Sequence, residues 1–142
     1  MEADGKVRES LTRWLEEFSR VVENRDLRGT LQLFSSAAEV SHWPSESGLT
    51  VGRSPTERFF QSLYEQPYTV STTSEPILMA TIGDGPWLAT DREQIYTRGD
   101  EERRYPYRVT AIFERESDRW LCVHFHGSEP AQHEGETAHK TQ

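Results

Sequence analysis

Five histidines, a single cysteine and a few arginines and tyrosines on strand-like segments are the groups in this 142-residue chain that could do chemistry. His124 and His126 stand two apart in Val-His-Phe-His, so on a strand both side chains leave the same face. Zinc or iron would need a third ligand at matching depth, commonly another histidine or a carboxylate. The alternation opposes that use. Leu121, Val123 and Phe125 are the apolar positions, which puts both histidines, with Cys122, on the opposite face as sheet-packing or interface residues and leaves no metal site to propose. Without a second thiol, Cys122 reads as a buried, inert sulfur rather than a nucleophile. His42 ends another short run, Glu39 to Trp43, and an imidazole with an ordinary pKa of ~6.5 can take and return a proton near neutral pH. The plain alternative is a rim histidine with a structural hydrogen bond. Arg92, Gln94 and Tyr96 share one face of a further strand. A lone guanidinium there could hold a carboxylate or enolate bidentately, and Tyr96 could donate a hydrogen bond or a proton. The plain alternative for Arg92 is an ion pair with Asp91 or Glu93 beside it.

The elements that position these groups follow from periodicity. Val7, Leu11, Trp14, Leu15, Phe18, Val21 and Val22 recur at helical spacing, predicting a helix from about Lys6 to Asn24. Asp26 suits the cap of a second helix, Leu27 to Phe34, burying Leu27, Leu31 and Phe34. A strand over Glu39 to Trp43 and a turn over Pro44 to Gly48 come next. Ser54 as N-cap with Pro55 at the first helical position opens a third helix that turns Phe59, Phe60 and Leu63 inward. Four strands end the series: Thr69 to Ile82, Trp87 to Arg98, Arg103 to Glu116 and Arg119 to Ser128. Gly83-Asp84-Gly85, Gly99-Asp100 and Glu116-Ser117-Asp118 are the turns between them. Val109, Ala111, Phe113, Val123 and Phe125 should face the interior. Helices first and an antiparallel sheet afterwards make an α+β domain, with the strongly curved sheet wrapped around helix 1 as a cone with a mouth.

Composition excludes several classes. The net charge of −8 argues against a nucleic-acid partner, which would require a basic patch. No apolar run approaches the ~20 residues of a membrane span, and one cysteine rules out an internal disulfide; the expected setting is soluble and cytoplasmic. One domain over residues 1–128 is expected, followed by a polar, disordered tail over 129–142.

Trp120, Val123-His124, His126 and Ser128 close the chain in an order and spacing that resembles the last strand of the SnoaL-like group in the nuclear transport factor 2-like superfamily. The association domain of calcium/calmodulin-dependent kinase II is a further echo. Asn24 to Pro44 is similar, without a gap, to a segment of ketosteroid isomerases, and Gly52-Arg53 to the superfamily's entry into its third helix. The resemblance covers roughly Leu11 to Pro130. It implies a cone whose inside is a ligand pocket and whose outer sheet face, bearing His124, His126 and Thr110, pairs two copies. It places the isomerase's proton-abstracting carboxylate on His42, its oxyanion-binding tyrosine on Phe18 and its protonated aspartate on Ala111 or Thr110, so that oxyanion pair is missing. It places a pocket arginine of the kinase domain on Arg92, and two others on Ala111 and Gly127. The resulting expectation is a pocket for a hydrophobic small molecule, needing no cofactor, with His42 and Tyr96 as proton-handling groups. Arg92, Trp14, Phe18, Trp43, Phe60, Gln94, Ala111 and Phe113 are its expected ligand contacts. An isomerase, cyclase or dehydratase acting on a carbonyl compound is one reading; a non-catalytic binding or oligomerisation module is the other.

Overall fold

Asp4 accepts a hydrogen bond from the Val7 amide and so caps helix α1 (Gly5–Glu23), whose buried stripe is Leu11, Trp14, Leu15, Phe18, Val21 and Val22. The computed structural model describes residues 4–37, 39–44 and 48–130, apart from the side chains of 74–77. Most of the polar tail lies outside the described residues, as does the middle of the turn expected after Pro44. After α1 come helix α2 (Leu27–Leu31), strands β1 (Ser41–Trp43) and β2 (Thr50–Val51), helix α3 (Arg53–Tyr64), and strands β3 (Thr69–Ile82), β4 (Gly85–Arg98), β5 (Glu101–Glu116) and β6 (Arg119–Ser128). The six strands form one curved, unclosed sheet in the order β2-β1-β6-β5-β4-β3, antiparallel except where β1 runs parallel to β6.

Residues paired across neighbouring strands share a face. One such row runs His42, Phe125, Ala111, Leu88 and Met79, and every member is buried against the helices. The next row over, Trp43, His126 and Thr110, lies on the outer face. This is the expected cone, with β2 at one edge of the sheet and β3 at the other.

The structure corrects three local expectations. A bulge between Ile112 and Phe113 pairs Ile112 with His124 but Phe113 with Cys122, which makes Val123 the extra residue. Cys122 therefore joins the inner core and forms an isolated bridge with Phe34, whereas Val123 is only half-buried. The second helix stops at Leu31 because the next carbonyls are claimed elsewhere. The third begins two residues early, with Gly52 rather than Ser54 at its cap, in a backbone conformation (φ 95°) that only glycine adopts readily.

What claims those carbonyls is Arg53, the first residue of α3. Its guanidinium donates to the carbonyl oxygens of Leu31, Phe34 and Ser35, each at 3.0 Å. One side chain thus satisfies the frayed end of α2 and fixes the approach of the chain to β1. Hydrogen bonds from a charged donor contribute about 1.5–3 kcal/mol each before shared losses. Arg53→Met should lower the unfolding free energy by about 3 kcal/mol in urea titrations; an unchanged midpoint would show that this segment holds itself.

Candidate functional site

Among the described residues, helices α1 and α3 and the inner sheet face line a cavity of about 50 Å³. Phe18, Phe59, Phe60, Leu63 and Phe125 make its walls apolar, and His42 comes in from β1. Ser19, Thr72, Gln94, Tyr96 and Tyr107 supply hydroxyl and amide groups from α1 and the opposite half of the sheet. A volume near 50 Å³ is room for a few waters, far below the roughly 300–1,000 Å³ of pockets for drug-sized ligands. In this form the cone takes a small molecule or must open for a larger one. Tyr96 also borders an open groove with Tyr68, Arg98 and Tyr105.

His42 is buried among aromatic rings. It stacks on Phe60 (centroids 5.1 Å apart, planes at 20°) and meets Phe59, Phe125 and Phe34 at 4.7, 5.5 and 6.3 Å. Its Nδ1 is buried and has no hydrogen-bond partner among the described residues. Leaving such a group unpaired costs about 1–3 kcal/mol, while ring contacts return about 0.5–1.5 kcal/mol each. Burial, with a smaller contribution from the charge of His124, pushes its pKa down to about 3. The imidazole is therefore neutral at physiological pH, one nitrogen a donor and the other an acceptor.

Arg92 is buried but does not line the cavity. Its Nε donates to the Thr73 carbonyl at 2.8 Å and its Nη2 to Ser19 Oγ and Thr72 Oγ1 at 2.7 and 2.6 Å. No ion pair links it to Asp91 or Glu93 among the described residues; Glu93 instead pairs with Arg104 at 2.7 Å. Burial lowers its pKa to about 10, against a smaller opposing pull from Tyr107, so it stays charged. The Ser19 and Thr72 hydroxyls that it bonds line the cavity, which the guanidinium itself does not.

Phe18, Phe60, Gln94 and Tyr96 line the cavity together with His42. Within it the Tyr96 hydroxyl donates to Gln94 Oε1 at 3.2 Å. Four other expected contacts lie elsewhere. Trp14 sits in the core beside the cavity, stacked on Phe18 with its Nε1 donating to the Leu33 carbonyl at 3.0 Å. Ala111 is wholly buried in the core, and Phe113 packs against Trp14. Trp43 is 47% exposed on the outer face, where it stacks on His126. Beside it Ser41 Oγ and His124 Nδ1 share a hydrogen bond of 2.7 Å. Among the described residues no group of three or more histidines, cysteines or carboxylates is placed to hold a metal ion.

Ser19, Thr72 and Tyr107 were not anticipated from sequence. Tyr107 enters because Gly127 has no side chain: a Cβ there would lie 1.8 Å from the Tyr107 Oη and 2.4 Å from Cζ.

The SnoaL-like domain matches residues 9–132, nearly the whole chain. The chain belongs to the SnoaL-like domain family. Solved structures agree on the fold. A nuclear transport factor 2-like superfamily protein from Salmonella enterica serovar Typhimurium superposes with a TM-score of 0.79 at 19% identity, over 92% of this chain and 95% of that one. A nuclear transport factor 2-like family protein from Streptomyces avermitilis gives 0.78 at 16% identity, over 87% and 96%. A ketosteroid isomerase-like protein from Erwinia carotovora atroseptica gives 0.73 at 10% identity, over 87% and 96%. No curated protein matches. Identities this low carry the fold and nothing finer, so within the SnoaL-like frame the residues of this cavity decide the chemistry.

The buried neutral His42 has a pH signature. Unfolded, it titrates near the ordinary 6.5; folded, near 3. Between those values only the unfolded chain binds the proton, so this contribution to stability is complete above about pH 6.5 and is lost as pH falls toward 3, by up to about 1.4 kcal/mol per unit. Urea unfolding near pH 7 and near pH 5 should show the wild type losing about 2 kcal/mol more than His42→Phe, which fills the same aromatic niche. Equal losses in the two proteins would mean that His42 is solvated.

Proposed function

We propose that the cone binds a small, largely apolar carbonyl compound and that His42 moves a proton on it. The observation that carries this reading is the unpartnered Nδ1 of a buried, cavity-lining histidine. Buried polar atoms are nearly always bonded, and those that are not tend to mark a role other than packing. A neutral imidazole among phenylalanine rings is a weak base on its own. Proton removal from a carbon next to a carbonyl creates an enolate, however, and imidazolium and enolate attract strongly where water is excluded. Ser19, Thr72 and the Gln94 amide, which Tyr96 holds in place, provide donors for the oxygen on which that charge develops. The chemistry served is enolisation, the step shared by isomerisation, cyclisation and some dehydrations.

The test is deuterium exchange at the carbons flanking the carbonyl of cyclopentanone, followed by NMR in heavy water. The protein should accelerate exchange, and His42→Gln should lose about 10²–10⁴-fold of that acceleration while still folding. Binding of the ketone without any acceleration would favour a second reading, a ligand-holding module. The depressed basicity of His42 is the observation on that side.

The outer face is proposed to pair two copies. Trp43 and Ile112, 47% and 42% exposed, flank His124 and His126 there, an apolar and aromatic patch that monomers usually cover. Light scattering at micromolar concentration should give about twice the 16.4 kDa chain mass, and Trp43→Glu should return it to one. A wild-type monomer would remove this part of the proposal.

A further inference from the structure

Arg92, Ser19 and Thr72 form a triangle with one proton too many. Nη2 of Arg92 donates to Ser19 Oγ and to Thr72 Oγ1, and those two oxygens lie 3.0 Å apart. Each hydroxyl has one hydrogen to give. Both oxygens already accept from the guanidinium, and one of the two hydroxyl hydrogens bridges the pair. The other has no place within the triangle. A serine inside a helix commonly spends its proton on the carbonyl four residues back. Thr12 does so on the same helix, donating to the Arg8 carbonyl at 2.8 Å, whereas Ser19 makes no such bond among the described residues. Both Ser19 and Thr72 line the cavity.

We infer that Ser19 and Thr72 act as one polarised donor that recognises an anionic oxygen of the bound molecule, a carboxylate or an enolate, with Arg92 as the positioning charge one layer behind. The inference rests on the cavity being a ligand site and adds the class of group it takes. Donation from the guanidinium occupies hydroxyl lone pairs and polarises both O–H bonds, so the pair presents hydrogen rather than an acceptor. It therefore suits an acceptor atom and rejects an ammonium or another donor. Arg92 is 7% exposed and meets no carboxylate in an ion pair among the described residues. A buried charge held, among the described residues, by neutral oxygens is poorly compensated, and an anion in the cavity would complete it without touching it. The hydroxyls set where the oxygen sits, and the guanidinium sets its charge.

Three probes of one size separate the possibilities: butyrate, butyramide and 1-butanol, titrated into the full-length chain while NMR follows the backbone amides of cavity residues such as Phe60 and Gln94. Wild type should bind butyrate about tenfold or more tightly than butyramide. Ser19→Ala with Thr72→Val, which keeps shape while removing both hydroxyls, should bring that ratio close to one. Each single variant, available if the double does not fold, should lower it about threefold or more. A wild-type ratio near one, or a ratio unchanged by the substitutions, overturns the donor pair while 1-butanol binding keeps the cavity as a ligand site. If none of the three probes moves the cavity amides, both the donor pair and the ligand site fall.

Discussion

Everything in this protein depends on a sheet being made to bend around one helix. β1 and β3 are separated by β6, β5 and β4, so in a flat sheet at about 4.8 Å per strand they would stand about 19 Å apart. Yet residues from both strands line a single cavity of about 50 Å³. Irregularities in the ladders help to provide the curvature, at Ile112/Phe113 between β5 and β6 and at Pro76/Leu78 between β3 and β4, each adding local twist. Helix α1 fills the concave side with Trp14, Phe18 and their neighbours, and that burial holds the bend in place.

The same enclosure treats the two basic groups differently. Burial favours the neutral form of each, lowering His42 to about 3 and Arg92 to about 10. At neutral pH the first has lost its charge and the second has kept it. The cavity thus has an aromatic side, where an imidazole offers hydrogen bonds without charge, and a side underlain by a fixed positive charge behind two hydroxyls. An electrically asymmetric space of this kind orients a molecule that is apolar at one end and electron-rich at the other.

Much of this was legible in the sequence, for reasons that differ by element. β3 and β6 end where the alternation and the Gly-Asp or Ser-Asp turns say they should. Phe18, Phe60, Gln94 and Tyr96 come together as their positions implied. Parity counting failed at Cys122 and Val123 because a bulge leaves no mark in the hydrophobic pattern, and one extra residue reverses the face of those beyond it. Trp43 was assigned to the pocket although it is next to His42 on a strand, where neighbours must point to opposite faces. Ser19 escaped notice because a serine beside an apolar helical stripe looks like its polar edge. Only the position of the Arg92 guanidinium, set by tertiary packing, gives it a partner.

The meeting of Tyr107 with Gly127 bears on how such a cavity can change over evolutionary time. The two positions share one volume, since the phenol fills the space that any side chain on Gly127 would need. Neither can be altered independently. A lineage that acquired a larger residue at 127 while Tyr107 remained would pass through a clash in the core, whereas shrinking Tyr107 first opens a void that a long side chain from 127 could then enter. The two positions are therefore coupled: a side chain can be added at 127 only where position 107 first becomes smaller.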